Sequence, residues 1–238
     1  MSFYSEGKRI FGNLHCPYEN APCIVTLHGL ESSKDEGKWP FIASKLCENG
    51  YACLRFSFQG CGVGNERSEG NFEDVTLTRR LSDYTAALRF LEDSKRVDTN
   101  RVGVIGSSFG GMVAIAQDIT LKAMVTLATP YKILRYEKPA IPKKKDGYYI
   151  LPSGRKIKGS FYEDLRNYDL LQAIKHASPI LIVHGSSDKI VPIEHAYKMY
   201  EAASEPKRIE KIENADHIFA SGLEKIIELS LHWFEKYL

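Results

Sequence analysis

The sequence predicts a doubly wound α/β domain: a mostly parallel sheet, helices on both faces, and a small inserted lid. Three observations predict it. Short runs that are apolar almost throughout recur along the chain, the stretches between them repeat every 3.6 residues, and one segment, residues 131–165, breaks the alternation. Residues 1–130 and 166–238 then form the core, and 131–165 the lid.

The elements follow in order. Segments around 3–6 and 8–15 read as an antiparallel edge hairpin. "CIVTLHG" (23–29), "YACLRFSF" (51–58), "RVGVIGS" (101–107), "AMVTLAT" (123–129) and "PILIVHG" (179–185) are rich in β-branched or aromatic residues and do not alternate. Central parallel strands covered on both faces look like this. "KRIEKIEN" (207–214) is a further strand. In "LTRRLSDYTAALRFLED" (77–93), Leu77, Leu81, Tyr84, Leu88 and Leu91 form one helical stripe, and "EKIIELSLHWFEKYL" (224–238) is amphipathic in the same way.

Residues 131–165 are too long for a plain connection. "GYYILPSGRKIKGSF" contains two strand-like pieces around "PSG", the pattern of a small hairpin. The segment holds nine Lys/Arg and four Asp/Glu, +5, which leaves −3 for the rest of a chain whose net charge is +2. A basic, tyrosine-rich insertion in an α/β domain is a candidate lid; the alternative is a solvated loop that its lysines keep soluble.

The near-neutral balance gives no reason to expect nucleic acid as a partner. No apolar run approaches the roughly 18 residues that span a bilayer, and "MSFYSEGKRIFGNLH" has polar residues where a signal peptide needs an apolar stretch, which points to the cytoplasm. The five cysteines are odd in number and none has CxxC spacing, against a disulfide framework and against a zinc site. Cys23 and Cys53 lie in apolar runs, as small buried hydrophobes do.

The chemistry centres on "VGVIGSSFGGMVAIA" (102–116). "GSSFG" fits G-x-S-x-G with Ser108 central, between a strand ending near Ser107 and a helix starting near Phe109. A nucleophile elbow needs this strand–turn–helix setting, with glycines leaving room for a strained serine. Serine also needs a base, and the base an orienting acid. Asp188 follows the strand "PILIVHG", and His217 follows the last strand in "IENADHIF", so all three converge on the carboxyl end of the sheet. Glu213 is the reserve acid, and Asp216, beside His217, suits a turn. His184 reads as a core histidine; His195 falls on a helix after Pro192, His176 at a helix end, His232 in the last helix and His15 near the edge hairpin. For the oxyanion, the backbone N–H groups of Phe109 and Leu30 are the candidate donors. Gly29 permits close approach and His28 anchors the loop.

With "HG" at 28–29, "GSSFGG" at 106–111, "HGSSDKIVP" at 184–192 and "DH" at 216–217 in this order, the chain resembles the α/β-hydrolase family over nearly its whole length. "RFSFQGCGVGNERSEGNFEDVTL" (55–77) and the insertion after Pro130 resemble the cinnamoyl/feruloyl esterase and monoacylglycerol-lipase-like groups. Those relatives often carry "RGHG" where this chain has "QGCG", with Cys61 replacing the histidine. A serine nucleophile separates the chain from dienelactone-hydrolase-like proteins.

The expected activity is hydrolysis of a small carboxylic ester, short-chain or aromatic, through an acyl-enzyme, with no cofactor and no metal. The lid tyrosines Tyr131, Tyr148 and Tyr149 are candidate substrate contacts, beside Tyr136, Phe161 and Tyr162. These aromatics could equally form the lid's own core or a homodimer contact. A thioesterase, acyltransferase or amidase would use the same triad, although nothing in the sequence indicates a propeller domain or peptide-end recognition. A non-catalytic binding protein on the same scaffold is the rival from another class.

Overall fold

A strand with no polar face needs cover on both sides, and the computed structural model supplies it. The structure describes residues 1–117, 119, 121–133, 143–145, 147–177 and 179–238. The chain runs β1 (Ser2–Ser5), β2 (Lys8–His15), β3 (Ala21–Leu27), α1 (Trp39–Glu48), β4 (Ala52–Phe56), α2 (Leu77–Ser94), β5 (Val97–Ser107), α3 (Phe109–Ala116) and β6 (Ala123–Leu127). Then come β7 (Lys143–Lys145), β8 (Tyr148–Ile150), β9 (Lys156–Lys158), α4 (Ser160–Leu165), α5 (Leu170–Ala173), β10 (Ile180–Gly185), α6 (Glu194–Ala202), β11 (Lys207–Ile212) and α7 (Leu223–Tyr237).

Among the described residues, eight strands form one sheet in the order β1-β2-β4-β3-β5-β6-β10-β11. The β1/β2 and β2/β4 pairs are antiparallel, and every pair from β4 to β11 is parallel. Strands β3, β6 and β10 are buried along their whole length. Residues of α2, α3 and α6 build the core on one face, around Tyr84, Met112 and Met199. Residues of α1 and α7 build it on the other, around Trp39, Leu46, Trp233 and Phe234. Cys23 and Cys53 are fully buried, and the cysteines are unbridged. None of the described helices is long and apolar enough to cross a membrane.

Three details differ from the sequence reading. Strand β5 begins at Val97 rather than 101, because Val97 pairs with Ala21 and Asp98 with Pro22 before the register shifts. The inward face of α2 carries Leu77, Arg80, Asp83, Tyr84, Ala87 and Leu91, while Leu81 and Leu88 are only half-buried. The expected hairpin gains a third strand, since β7 and β9 both pair antiparallel with β8.

Residues 147–165 of the insertion are tied to the core. Asp164 accepts hydrogen bonds from the N–H groups of Leu77 (2.8 Å) and Thr78 (3.1 Å), at the open start of α2. The Arg155 guanidinium lies over the Phe72 ring at 3.3 Å from its centroid. Lys158 pairs with Asp74, and Ser153 donates to Glu31. The sequence-based boundary at 131 and the expected Tyr136 contact concern a segment of which 134–142 lies outside the described residues.

Candidate active site

Ser108 occupies the turn between β5 and α3 with φ 52° and ψ −120°. For a residue with a Cβ that conformation costs roughly 1–3 kcal/mol and persists only where the surroundings hold it. Here they do: the Ser108 N–H donates to Leu127 O at 2.8 Å, and its carbonyl accepts from Gly111 N–H at 3.0 Å. The glycines make the sharp turn sterically open. A Cβ on Gly110 would meet Leu27 O at 2.0 Å, and one on Gly106 would meet Gly110 O at 2.6 Å. Helix α3 therefore lies almost against the end of β3, and the turn projects beyond the sheet.

His217 and Asp188 come to the same edge from the ends of β11 and β10. His217 Nε2 is 3.1 Å from Ser108 Oγ, and His217 Nδ1 is 2.7 Å from Asp188 Oδ2. The Asp188 side chain is fully buried. Burial works to raise its pKa. The hydrogen bonds of His184 and His217, and that from Val191 N–H, outweigh burial and hold it well below the usual carboxylate range. An ionised carboxylate can only accept, so the His217 proton sits on Nδ1, and Nε2 turns its lone pair to the Ser108 hydroxyl. Asp188 Oδ1 is fixed by the N–H groups of Ile190 (2.8 Å) and Val191 (2.9 Å).

The competing histidines and acids have other partners. His184 is buried, with Nε2 2.8 Å from Val191 O and 3.3 Å from Asp188 Oδ2. Val191 O can only accept, so His184 carries its proton on Nε2, which also faces the carboxylate. Sequence reasoning placed His184 in the core but missed this contact; its spacing of four from Asp188 was the available signal. Glu213 pairs with Lys211 at 2.6 Å, and Asp216 accepts from Ala220 N–H at 2.9 Å in a turn. His195 Nδ1 accepts from Tyr131 N–H at 3.2 Å.

The loop after β3 brings Gly29 beside Ser108: a Cβ on Gly29 would stand 3.6 Å from Ser108 Cβ. His28 accepts from Phe58 N–H at 3.1 Å through Nε2, so its Nδ1 donates to Gly29 O at 2.8 Å. Burial, with Arg80 nearby, holds its pKa well below the ordinary histidine value, so it stays neutral. Among the described residues, neither Leu30 N–H nor Phe109 N–H meets a protein acceptor.

Arg80 is the functional candidate that sequence reasoning missed. Its guanidinium donates to the carbonyls of His28 (3.1 Å), Gly29 (3.1 Å) and Leu30 (2.8 Å). It lies between the rings of Phe58 and Phe109, 4.4 and 4.8 Å from their centroids. Burial draws its pKa down to about 10, which leaves it a cation at neutral pH. Its Nη2 is also 4.0 Å from the sulfur of Cys61, in the "QGCG" loop. Asp83, one helical turn on, receives Gln59 N–H at 2.9 Å and so holds that loop from the same helix.

Ser108 and His217 open on a cavity of about 1330 Å³. Trp39, Phe109, Tyr131, Phe161, Tyr162 and Phe219 supply aromatic walls. Of the three expected lid contacts, Tyr131 lines the cavity. Tyr148 and Tyr149 stand outside that lining, and Tyr149 instead packs edge-on against Tyr162 at 5.0 Å between centroids.

Known proteins resemble this chain in sequence and in fold. The sequence profile of the prolyl oligopeptidase family matches residues 41–238. The candidate esterase YitV of Bacillus subtilis (strain 168) is 26% identical over 235 residues, covering 91% of this chain and 89% of YitV. The human mitochondrial palmitoyl-protein thioesterase ABHD10 is 28% identical over 190 residues, covering 72% of this chain and 58% of ABHD10. Among solved structures, Est1E from Butyrivibrio proteoclasticus with ferulic acid bound superposes with a TM-score of 0.87 at 23% identity, over 100% of this chain and 98% of that one. The esterase domain of a Rhodothermus marinus protein superposes with a TM-score of 0.75 at 26% identity, over 100% and 97%.

Proposed function

Starting from a chain that belongs to the prolyl oligopeptidase family of α/β-hydrolases, we propose a serine hydrolase that cleaves carboxylic esters through an acyl-enzyme. The observation that carries it is the relay of 3.1 Å from Ser108 Oγ to His217 and 2.7 Å from His217 to a buried, ionised Asp188.

Ser108 Oγ attacks the ester carbonyl while His217 Nε2 takes its proton. Asp188 stabilises the resulting imidazolium and keeps the ring in the right tautomer. The oxyanion of the tetrahedral intermediate accepts from the N–H groups of Leu30 and Phe109. Their freedom from protein acceptors supports this role, and one such donor is typically worth about 3 kcal/mol. Collapse expels the alkoxide, which receives the proton from His217 and leaves as the alcohol. Water then attacks the acyl-Ser108 ester, with His217 again as base, and the acid departs.

The substrate class is a short-chain or aromatic ester. Six aromatic side chains around the cavity favour a flat or apolar acyl group, and the relatives named as esterases support ester hydrolysis in general. The family match is a specific reason to test a second reading, amide hydrolysis on the same triad. Ester turnover is tested with p-nitrophenyl butyrate, its p-nitroanilide counterpart and butyryl thioester at equal concentration. The expected result is highest kcat/KM on the oxygen ester, abolished in Ser108→Ala. A preference for the anilide would replace the esterase assignment with an amidase.

A further inference from the structure

Among the described residues, the two fully buried cations, Lys34 and Arg80, are both paired. Lys34, nearly fully buried, has Asn13 at 2.7 Å, Asp35 at 2.5 Å and Glu66 at 2.6 Å. Arg80 has three carbonyls. Lys38 is partly buried, and among the described residues its ammonium makes neither a hydrogen bond nor an ion pair. It stands over the rings of Trp39 and Phe219, 5.4 and 5.8 Å from their centroids, and all three residues line the cavity that holds Ser108. A partly desolvated ammonium gains from an anionic partner brought into the same cavity.

A second feature points the same way. Lys38 is the N-cap of α1, a ten-residue helix with no acidic residue in its first turn and no side chain capping it. The positive end of that helix and the ammonium reinforce each other at one place on the cavity wall. Burial draws Lys38 down to about 8, against the pull of Asp216.

We infer that Lys38, at the amino end of α1, receives a carboxylate carried by the substrate, so that anionic esters are selected over neutral esters of the same shape. This rests on the ester-hydrolase reading above. The carboxylate can belong to the acyl half or to the leaving half, and two matched substrate pairs separate these cases. The p-nitrophenyl monoester of glutaric acid against p-nitrophenyl pentanoate places it on the acyl half. 4-Acetoxybenzoate against phenyl acetate places it on the leaving half.

For each pair the anionic-to-neutral ratio of kcat/KM is measured in the wild type, Lys38→Met and Lys38→Arg. In one pair Lys38→Met should lower the ratio by about tenfold or more, the weight of a hydrogen bond to a charged group, with Lys38→Arg restoring most of it. In the wild type alone, which needs no variant to fold, that ratio should fall as pH rises past about 8. Asp216 faces Lys38 from the His217 loop and Glu36 lines the same wall; an effect of pH on the reaction itself acts on both members of a pair and cancels. Ratios unmoved by Lys38→Met and by pH would overturn the inference while the neutral esters still turn over. A folded wild type inactive on both members of each pair would remove the ester-hydrolase reading and the inference with it.

Discussion

At the scale of single residues, Ser108, Asp188 and His217 were legible because each is announced locally. A G-x-S-x-G turn or an acid just past an apolar strand needs no knowledge of distant contacts. Arg80 was not legible for the opposite reason. An arginine on an amphipathic helix is ordinarily counted as solvent-facing, and only the carbonyls of residues 28–30, some fifty positions away, make its burial favourable. Those carbonyls belong to the loop whose Leu30 N–H is proposed to hold the oxyanion, so Arg80 acts as a positioning residue. Lysine retains the charge but offers one compact ammonium in place of the planar fork whose two nitrogens reach these carbonyls. Arg80→Lys should therefore lower kcat by about a hundredfold, the cost of a misplacement near 1 Å, with KM little changed. A lower melting temperature with kcat intact would mean that Arg80 only stabilises the fold.

Among the elements, the central strands were legible from their unbroken apolar runs, and the ends were less so. Strand β5 reaches back to Val97 because of its pairing with β3, which no local pattern records. The insertion was recognised by its length and charge, but its attachments were not, since they are made between distant residues. Asp164 shares the capping of α2 with Thr76, whose side chain accepts from Arg79 N–H at 3.1 Å. Asp164→Ala should cost about 1 kcal/mol of stability, as loss of an N-cap does, read by denaturant unfolding. It should also loosen residues 147–165, read as faster amide exchange in β8 and β9. Unchanged exchange there would show that the contacts of Arg155 and Lys158 hold the segment without it.

Across the whole molecule, the doubly wound sheet places four loops at one edge: those after β3, β5, β10 and β11. Strand order made that convergence readable from sequence, because parallel strands all present the same end. Stability follows from the same burial. Burial lowers the pKa of His28, and burial with Arg55 and Lys34 lowers that of His15, so both resist protonation in the folded state. The unfolded chain takes up those protons below about pH 6.5. Stability is then full above that pH and declines as pH falls through it. Fully buried His28 contributes up to about 1.4 kcal/mol per pH unit, and partly exposed His15 less. The melting temperature should fall between pH 7.5 and 5.5; a flat or rising profile would contradict the neutral assignment of these histidines.

The central claim is that His217 and Asp188 activate Ser108. The most direct measurement is the intact mass of the protein after exposure to a fluorophosphonate, with Ser108→Ala alongside and folding of both checked by circular dichroism. The expected result is a single phosphonyl adduct on the wild type and none on Ser108→Ala. A folded wild type that stays unlabelled, or equal labelling of both proteins, would contradict it.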